Sequence, residues 1–135
     1  MKILLDTHIV LWFNTEDKRL SQKAWDILLD PKNEIYYSVI NIWETEIKYL
    51  NKKESFPVSG KQLKEFSEKA GLQNLDLKPQ HTLMLSTLHY SESAPKPHKD
   101  PFDRMLICQA KSEEMLLMTH DALLPYYNEP CVLWV

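Results

Sequence analysis

Short apolar runs alternate with stretches of helical periodicity along the whole sequence, and this alternation leaves few architectures open. The runs are Ile3-Leu4-Leu5, residues 35–38, a weak one at 75–77, then 115–119 and 131–135. Between them, helical spacing of apolar residues marks 7–13, 21–29, Val39–Leu50, 60–70, 82–88, 101–113 and a short stretch at 122–126. Strands separated by helices pair in parallel through right-handed crossovers. The expected fold class is α/β: a doubly wound, central parallel sheet of four to five strands with helices on both faces. Ligands of such sheets bind outside the carboxyl ends of the strands, where the strand order reverses.

A chain of 135 residues buries one sizeable core and is short for two, so one domain spanning 1–135 is expected. The 44% hydrophobic and 26% charged content, with only 2 Gly, excludes a disordered or fibrous chain. Cys108 and Cys131 have no metal-ligand spacing and cannot staple a small secreted domain, although one disulfide between them stays open; a reducing cytoplasm suits them better. An acid at Asp6 interrupts the amino-terminal apolar run too soon for a signal peptide, and the apolar run 9–13 is too short to span a membrane. A net charge of -3 gives no long-range attraction to nucleic acid, so binding there needs local cations. Lys48, Lys52 and Lys53 offer one basic group and Lys96, Lys99 and Arg104 another; each is equally a solvated helix face or charged loop. Residues 91–99, with Pro95 and Pro97, read as a loop.

The acids are placed where this fold would gather them. Asp6 ends the first run and Asp121 follows Leu116-Leu117-Met118-Thr119-His120, so each strand carries a carboxylate to the same sheet edge, with the Thr7 hydroxyl beside the first. Either acid alone is explained as a helix N-cap. In His98-Lys99-Asp100-Pro101-Phe102-Asp103-Arg104, Asp100 fits N-cap, Pro101 the first helical position and Asp103 the third, where an acid favours the helix dipole. Helix-start chemistry accounts for both acids without a metal, but not for their company with acids at two strand ends. In Val39–Leu50 the residues Val39, Ile42, Trp43, Ile47 and Leu50 form an apolar stripe expected to face the core. Glu44 borders that stripe and Glu46 falls nearer its centre, so periodicity alone favours Glu46, and either can be a surface acid paired with lysine.

Carboxylates held within a few ångströms repel, and a bound dication relieves the repulsion. Mg²⁺ and Mn²⁺ prefer such hard oxygen ligands, and one or two ions activate water and stabilise the leaving oxygen in phosphodiester cleavage. His8, His81, His89, His98 and His120 stand in no HExxH or Cys/His frame, and packing or substrate contact is the expectation for them. The four tryptophans, Trp12, Trp25, Trp43 and Trp134, are expected in the core.

Taken together, Leu4-Leu5-Asp6-Thr7-His8, Ser38 through Trp43-Glu44, the 98–104 string and Thr119-His120-Asp121 resemble the PIN-domain family, most closely its VapC-like branch of bacterial toxin ribonucleases. The order and spacing cover essentially the whole chain; the most specific parts are Asp-Pro-Phe-Asp-Arg and Leu-Asp-Thr. The resemblance implies a PIN-like nuclease fold and Mg²⁺- or Mn²⁺-dependent endonucleolytic hydrolysis of RNA. It assigns Asp6, Glu44, Asp103 and Asp121 as the metal-holding catalytic acids, choosing Glu44 over Glu46 on resemblance alone. Asp100, Thr7, Thr119 and Arg104 become accessory residues, and Lys48, Lys52, Lys99 and Arg104 RNA contacts. It further implies a homodimer and a small antitoxin covering the acid groove, with operator DNA bound through that partner. The 60–70 helix matches no motif of the family.

Two rivals are weighed beside it. A Mg²⁺-binding receiver-like module needs an acidic pair after the first strand and a phosphate-accepting Asp ending the middle one, whereas Asp6 stands alone and Asp76 lacks that setting. A catalytically inactive PIN-like scaffold is the other, against which stands the presence of all the expected acids.

Overall fold

The computed structural model describes residues 1–51 and 56–135. Five strands form one parallel sheet: β1 (Lys2–Leu5), β2 (Glu34–Ser38), β3 (Gln73–Leu75), β4 (Leu116–Thr119) and β5 (Val132–Trp134), in the order β3-β2-β1-β4-β5. The helices are α1 (Thr7–Thr15), α2 (Gln22–Leu29), α3 (Val39–Leu50), α4 (Gly60–Lys69), α5 (Pro79–Leu83) and α6 (Pro101–Ser112), with 3-10 turns at Met84–Thr87 and Leu124–Tyr127. A receiver of flavodoxin-like topology would have the order 2-1-3-4-5; here β1 lies between β2 and β4.

The alternation of side chains along a strand explains the two apolar layers. Ile3 and Leu5 point to one face, joining Ile9, Ala24 and Leu63 from α1, α2 and α4. Leu4 points to the other, joining Ile40, Leu106, Ile107 and Leu117. Ile3, Leu4 and Leu5 are fully buried, as a central parallel strand requires, and only Lys2 at the start of β1 is exposed. Helix α4 comes close to α3 because Gly60 has no side chain: a Cβ there would stand 2.9 Å from the Ile42 carbonyl oxygen.

Several sequence expectations shift. The weak strand at 75–77 is Gln73–Leu75, with Leu75 paired to Ser38 and Leu77 left exposed. The helix at 82–88 begins earlier, at Pro79, whose fixed φ and missing N–H suit the first turn, and then tightens into the Met84–Thr87 turn. The 122–126 helix is only the turn Leu124–Tyr127.

The larger correction concerns α3. Its apolar stripe does not face the core: Trp43 is 55% exposed, and Ile47 and Leu50 are exposed with it. The buried face is Ile40, Asn41, Glu44 and Thr45. Hydrogen bonding decides the rotation. Ser38 caps the helix, the Asn41 side chain accepts from the Ser38 N–H at 2.7 Å, and Asn41 Nδ2 donates to Leu5 O and to Thr7 Oγ1. Leaving these buried groups unpaired would cost about 1–3 kcal/mol each, which favours the polar face inward. Trp134 is likewise exposed rather than core, whereas Trp12 is buried and Trp25 packs at the core's margin. Cys108 and Cys131 carry free thiols. Among the described residues no helix is long and apolar enough to cross a membrane.

Candidate active site

Strand order reverses between β1 and β4, and both strands end in acids there. The sheet ladder continues one step beyond β1, through Asp6 N–H to Met118 O at 3.0 Å, so the Asp6 side chain leaves the sheet at its carboxyl edge. Asp6 also caps α1, accepting from the Ile9 N–H at 3.0 Å. Cap and site are therefore one position serving twice. The Thr119 hydroxyl donates to the other Asp6 oxygen and accepts from the Asp121 N–H at 3.0 Å, joining the two strand ends.

The remaining acids arrive on helices. Asp100 caps α6, accepting from the Phe102 and Asp103 N–H groups at 2.8 and 3.2 Å, and Pro101 starts the helix. Asp103 follows within the first turn. Glu44 is carried inward by the rotation of α3 and is 2% exposed. One of its oxygens accepts from Thr7 Oγ1 and the other pairs with Lys48 Nζ, both at 2.6 Å. Together Asp6, Glu44, Asp100, Asp103 and Asp121 line one cleft of about 370 Å³, with His8, Trp12, Arg19, Lys48 and His120. Glu46 is not on its wall; its Cβ lies beside Gly60.

Electrostatics in the cleft follow from burial and like charge. Burial pushes the Asp6 carboxyl up from an ordinary 3.8 to about 7; the Thr119 and Ile9 hydrogen bonds oppose this, and the charges of Asp103 and Glu44 add to it. Asp103 is raised too, first by burial and then by Asp100 and Glu44, against the pull of His98. His98 is raised by its hydrogen bond to Asp103, with burial opposing.

The sequence leads to no role for His98 beyond packing or substrate contact, yet the fold sets its ring among the acids. Its Nε2 stands 3.2 Å from Asp103 Oδ2 and 4.0 Å from Asp121 Oδ2, while Nδ1 meets the Tyr127 hydroxyl at 2.7 Å. Ligand atoms of His98, Asp103 and Asp121 all lie within 4.8 Å of one another. The available signal is its place at the head of the 98–104 string; no spacing rule turns a histidine there into a neighbour of Asp121. The donor set fits a divalent cation: hard carboxylate oxygens, partly buried and mutually repelling, with one imidazole nitrogen.

Other expected residues lie around this centre. Thr7 and Thr119 are buried behind Glu44 and Asp6 and orient them. Lys48 reaches the cleft, Lys99 is exposed on the loop before α6, and Arg104 is half-buried with its Nε enclosed and without a hydrogen-bond partner among the described residues. Lys52 and Lys53 lie outside the described residues.

Solved structures of the same architecture include VapBC2 from Rickettsia felis bound to a DNA fragment from its promoter. That match is 17% identical, covers 100% of this chain and 98% of that chain, and has a TM-score of 0.65. VapBC-1 from nontypeable Haemophilus influenzae is 20% identical over 90% of this chain and 87% of that one, with a TM-score of 0.57. FitAB bound to an IR36 DNA fragment is 18% identical over 97% and 93%, with a TM-score of 0.60. At such identities the likeness is one of fold. No curated protein matches the sequence. The PIN domain family model matches residues 3–128, from within β1 to beyond Tyr127, and so takes in every acid of the cleft. With that match over nearly its whole length, the chain belongs to the PIN domain family.

Proposed function

We propose that this chain is an endoribonuclease dependent on Mg²⁺ or Mn²⁺, and that it is the toxin half of a VapBC-like toxin–antitoxin pair acting in the cytoplasm. The observation that carries the reading is the convergence of Asp6, Glu44, Asp100, Asp103 and Asp121 on one cleft. A cation held there supplies charge neutralisation, a more acidic bound water and stabilisation of the leaving oxygen. Asp6, Asp103 and Asp121, with His98 beside the last two, are the residues that would hold it, and Glu44 completes the wall. Thr119 and Thr7 orient Asp6 and Glu44, and Lys48 offsets the charge of Glu44. His98 Nε2 stands 3.2 Å from Asp103 Oδ2, and the Tyr127 hydroxyl holds the ring from behind at Nδ1.

The exposed apolar residues of α3, Trp43, Ile47, Tyr49 and Leu50, support a protein-covered surface, in keeping with an antitoxin and a second copy of the chain as partners. The structural neighbours named VapBC and FitAB support the same pairing.

The test is incubation of purified protein, freed of partner, with mixed RNA in Mg²⁺ or Mn²⁺. Cleavage is expected, and EDTA and Asp103→Asn should each reduce it on the order of a hundredfold or more. RNA left intact by the wild-type protein with metal present would favour an inactive scaffold.

A further inference from the structure

Beside the acidic cleft runs a row of rings that the carboxylate chemistry does not use. Phe56 meets His8 at 6.4 Å between centroids, His8 meets Trp12 at 5.9 Å, Trp12 meets His120 at 5.5 Å and His120 meets Trp134 at 5.4 Å. The row crosses the molecule from the start of the α4 region, over α1, to the outermost strand β5. Trp12 is buried and backs the row, whereas His8, His120 and Trp134 are exposed. Trp134 is 46% exposed although His120 stacks against it at 17°, so the residue keeps a large surface open to solvent. The indole N–H donates to His120 O at 3.3 Å, which holds the ring in place.

A large aromatic ring exposed on an edge strand contributes little to the core and presents apolar surface to water. Its position has a use in recognition. His8, Trp12 and His120 line the same cleft as the carboxylates, and His8 and Trp12 continue into an adjoining hollow of about 220 Å³ that Phe56 also lines. Cations accompany the rings: Arg19 lies 5.0 Å over Trp12, forked to Asp17, and Lys48 lies 5.6 Å over Phe56. Rings that continue past the cleft on both sides, with cations beside them, suit a chain of unpaired bases on a charged backbone, because every base has a face to stack.

We propose that this row is a stacking platform for unpaired RNA bases on either side of the bond held over the carboxylates, with Trp134 and His120 taking bases on one side and His8 and Phe56 on the other. The proposal rests on the ribonuclease reading for where that bond lies, but it is tested by binding rather than cleavage. Inside an A-form duplex the faces of each base are covered by the stacked neighbouring pairs, so the duplex would not engage the row.

The experiment titrates a short single-stranded oligouridylate into the protein in Ca²⁺, following tryptophan fluorescence and the anisotropy of a labelled oligomer, with oligomer length checked afterwards. Trp134→Ala and His120→Ala should each weaken binding about tenfold, Trp134→Phe should restore most of the loss, and a blunt duplex should bind weakly without quenching. Unaltered melting of each variant separates a lost contact from a lost fold. Equal affinity of wild type and Trp134→Ala overturns the platform and leaves the row as a protein-contact surface; equal quenching by duplex overturns it as well. Oligomer bound through these rings, yet left intact in Mg²⁺ and Mn²⁺, upholds the platform while removing the nuclease reading.

Discussion

Thr7 Oγ1 donates a 2.6 Å hydrogen bond to Glu44 Oε1, so the first residue of α1 orients an acid that lies 37 positions further along the chain. The same hydroxyl accepts from Asn41 Nδ2 at 3.0 Å. Thr7→Val keeps the shape and removes both bonds. It should cost about 1–2 kcal/mol of stability, by leaving Glu44 and Asn41 short of partners, and lower RNA cleavage about tenfold. Thr7→Ser should retain both. Denaturant melts beside initial cleavage rates check the pair, and a Thr7→Val protein as stable and active as wild type would show that this hydroxyl positions nothing.

Proton linkage gives a second expectation, for metal-free protein. Asp6 is pushed up to about 7 by burial, and Asp103 and His98 are raised as well. A group that binds its proton more tightly in the folded state contributes stability that is fully present below its unfolded value and lost as pH rises through its folded value. All three groups therefore act in one direction: in EDTA, stability should fall between about pH 4 and pH 7 through Asp6, by on the order of a few kcal/mol. Asp6→Asn should flatten that slope. Added Mg²⁺, which binds the ionised form, should raise the melting temperature more at pH 8 than at pH 5. A flat melting profile across this range in EDTA would contradict the burial that raises these acids.

His98 offers a sharper test of the cation site, because its imidazole nitrogen stands among the oxygens of Asp103 and Asp121. His98→Ala should weaken Mn²⁺ binding about 10- to 100-fold, whether the nitrogen is a ligand or orients Asp103. Calorimetric titration reads this directly, without RNA. Tyr127→Phe, which removes only the hydroxyl behind the ring, should have a smaller effect in the same direction.

Asp100 and Asp103 separate capping from chemistry. Asp100 accepts two N–H bonds at the start of α6, so Asp100→Ala should lose about 1 kcal/mol of stability, largely recovered in Asp100→Ser. Asp103→Asn keeps the helix start and removes a charge from a crowded cleft, so the metal-free variant should melt no lower than wild type while its cleavage activity collapses. A variant with wild-type activity would remove Asp103 from the site.

The sheet and the strand-end acids are legible in the sequence because both follow from short-range rules. Burial on both faces of a strand is written as a continuous apolar run, here Ile3-Leu4-Leu5, and the reversal between β1 and β4 brings Asp6 and Asp121 to one edge. The helix start at Asp100-Pro101 is equally local. What is not legible depends on contacts distant in sequence. The apolar stripe of α3 points one way, and the hydrogen bonds of Asn41 to Leu5 and Thr7 turn the helix the other. Periodicity favours Glu46, whereas the fold carries Glu44 to the cleft. His98 owes its place to Tyr127, 29 positions away. Trp134 sits on an edge strand, and a short apolar run does not reveal which of its residues faces solvent.

The bond from Thr119 to Asp6 spans 113 positions, and it has a consequence for the order in which the cleft is assembled. Synthesis delivers Asp6 well before Thr119 and Asp121, with β2, β3 and the helices α1 to α6 between them. Until β4 emerges, one wall of the cleft does not exist. A nascent chain in which β4 has yet to emerge therefore holds Asp6 without the Thr119 hydroxyl that bonds it and without the Asp121 carboxylate of the same cleft.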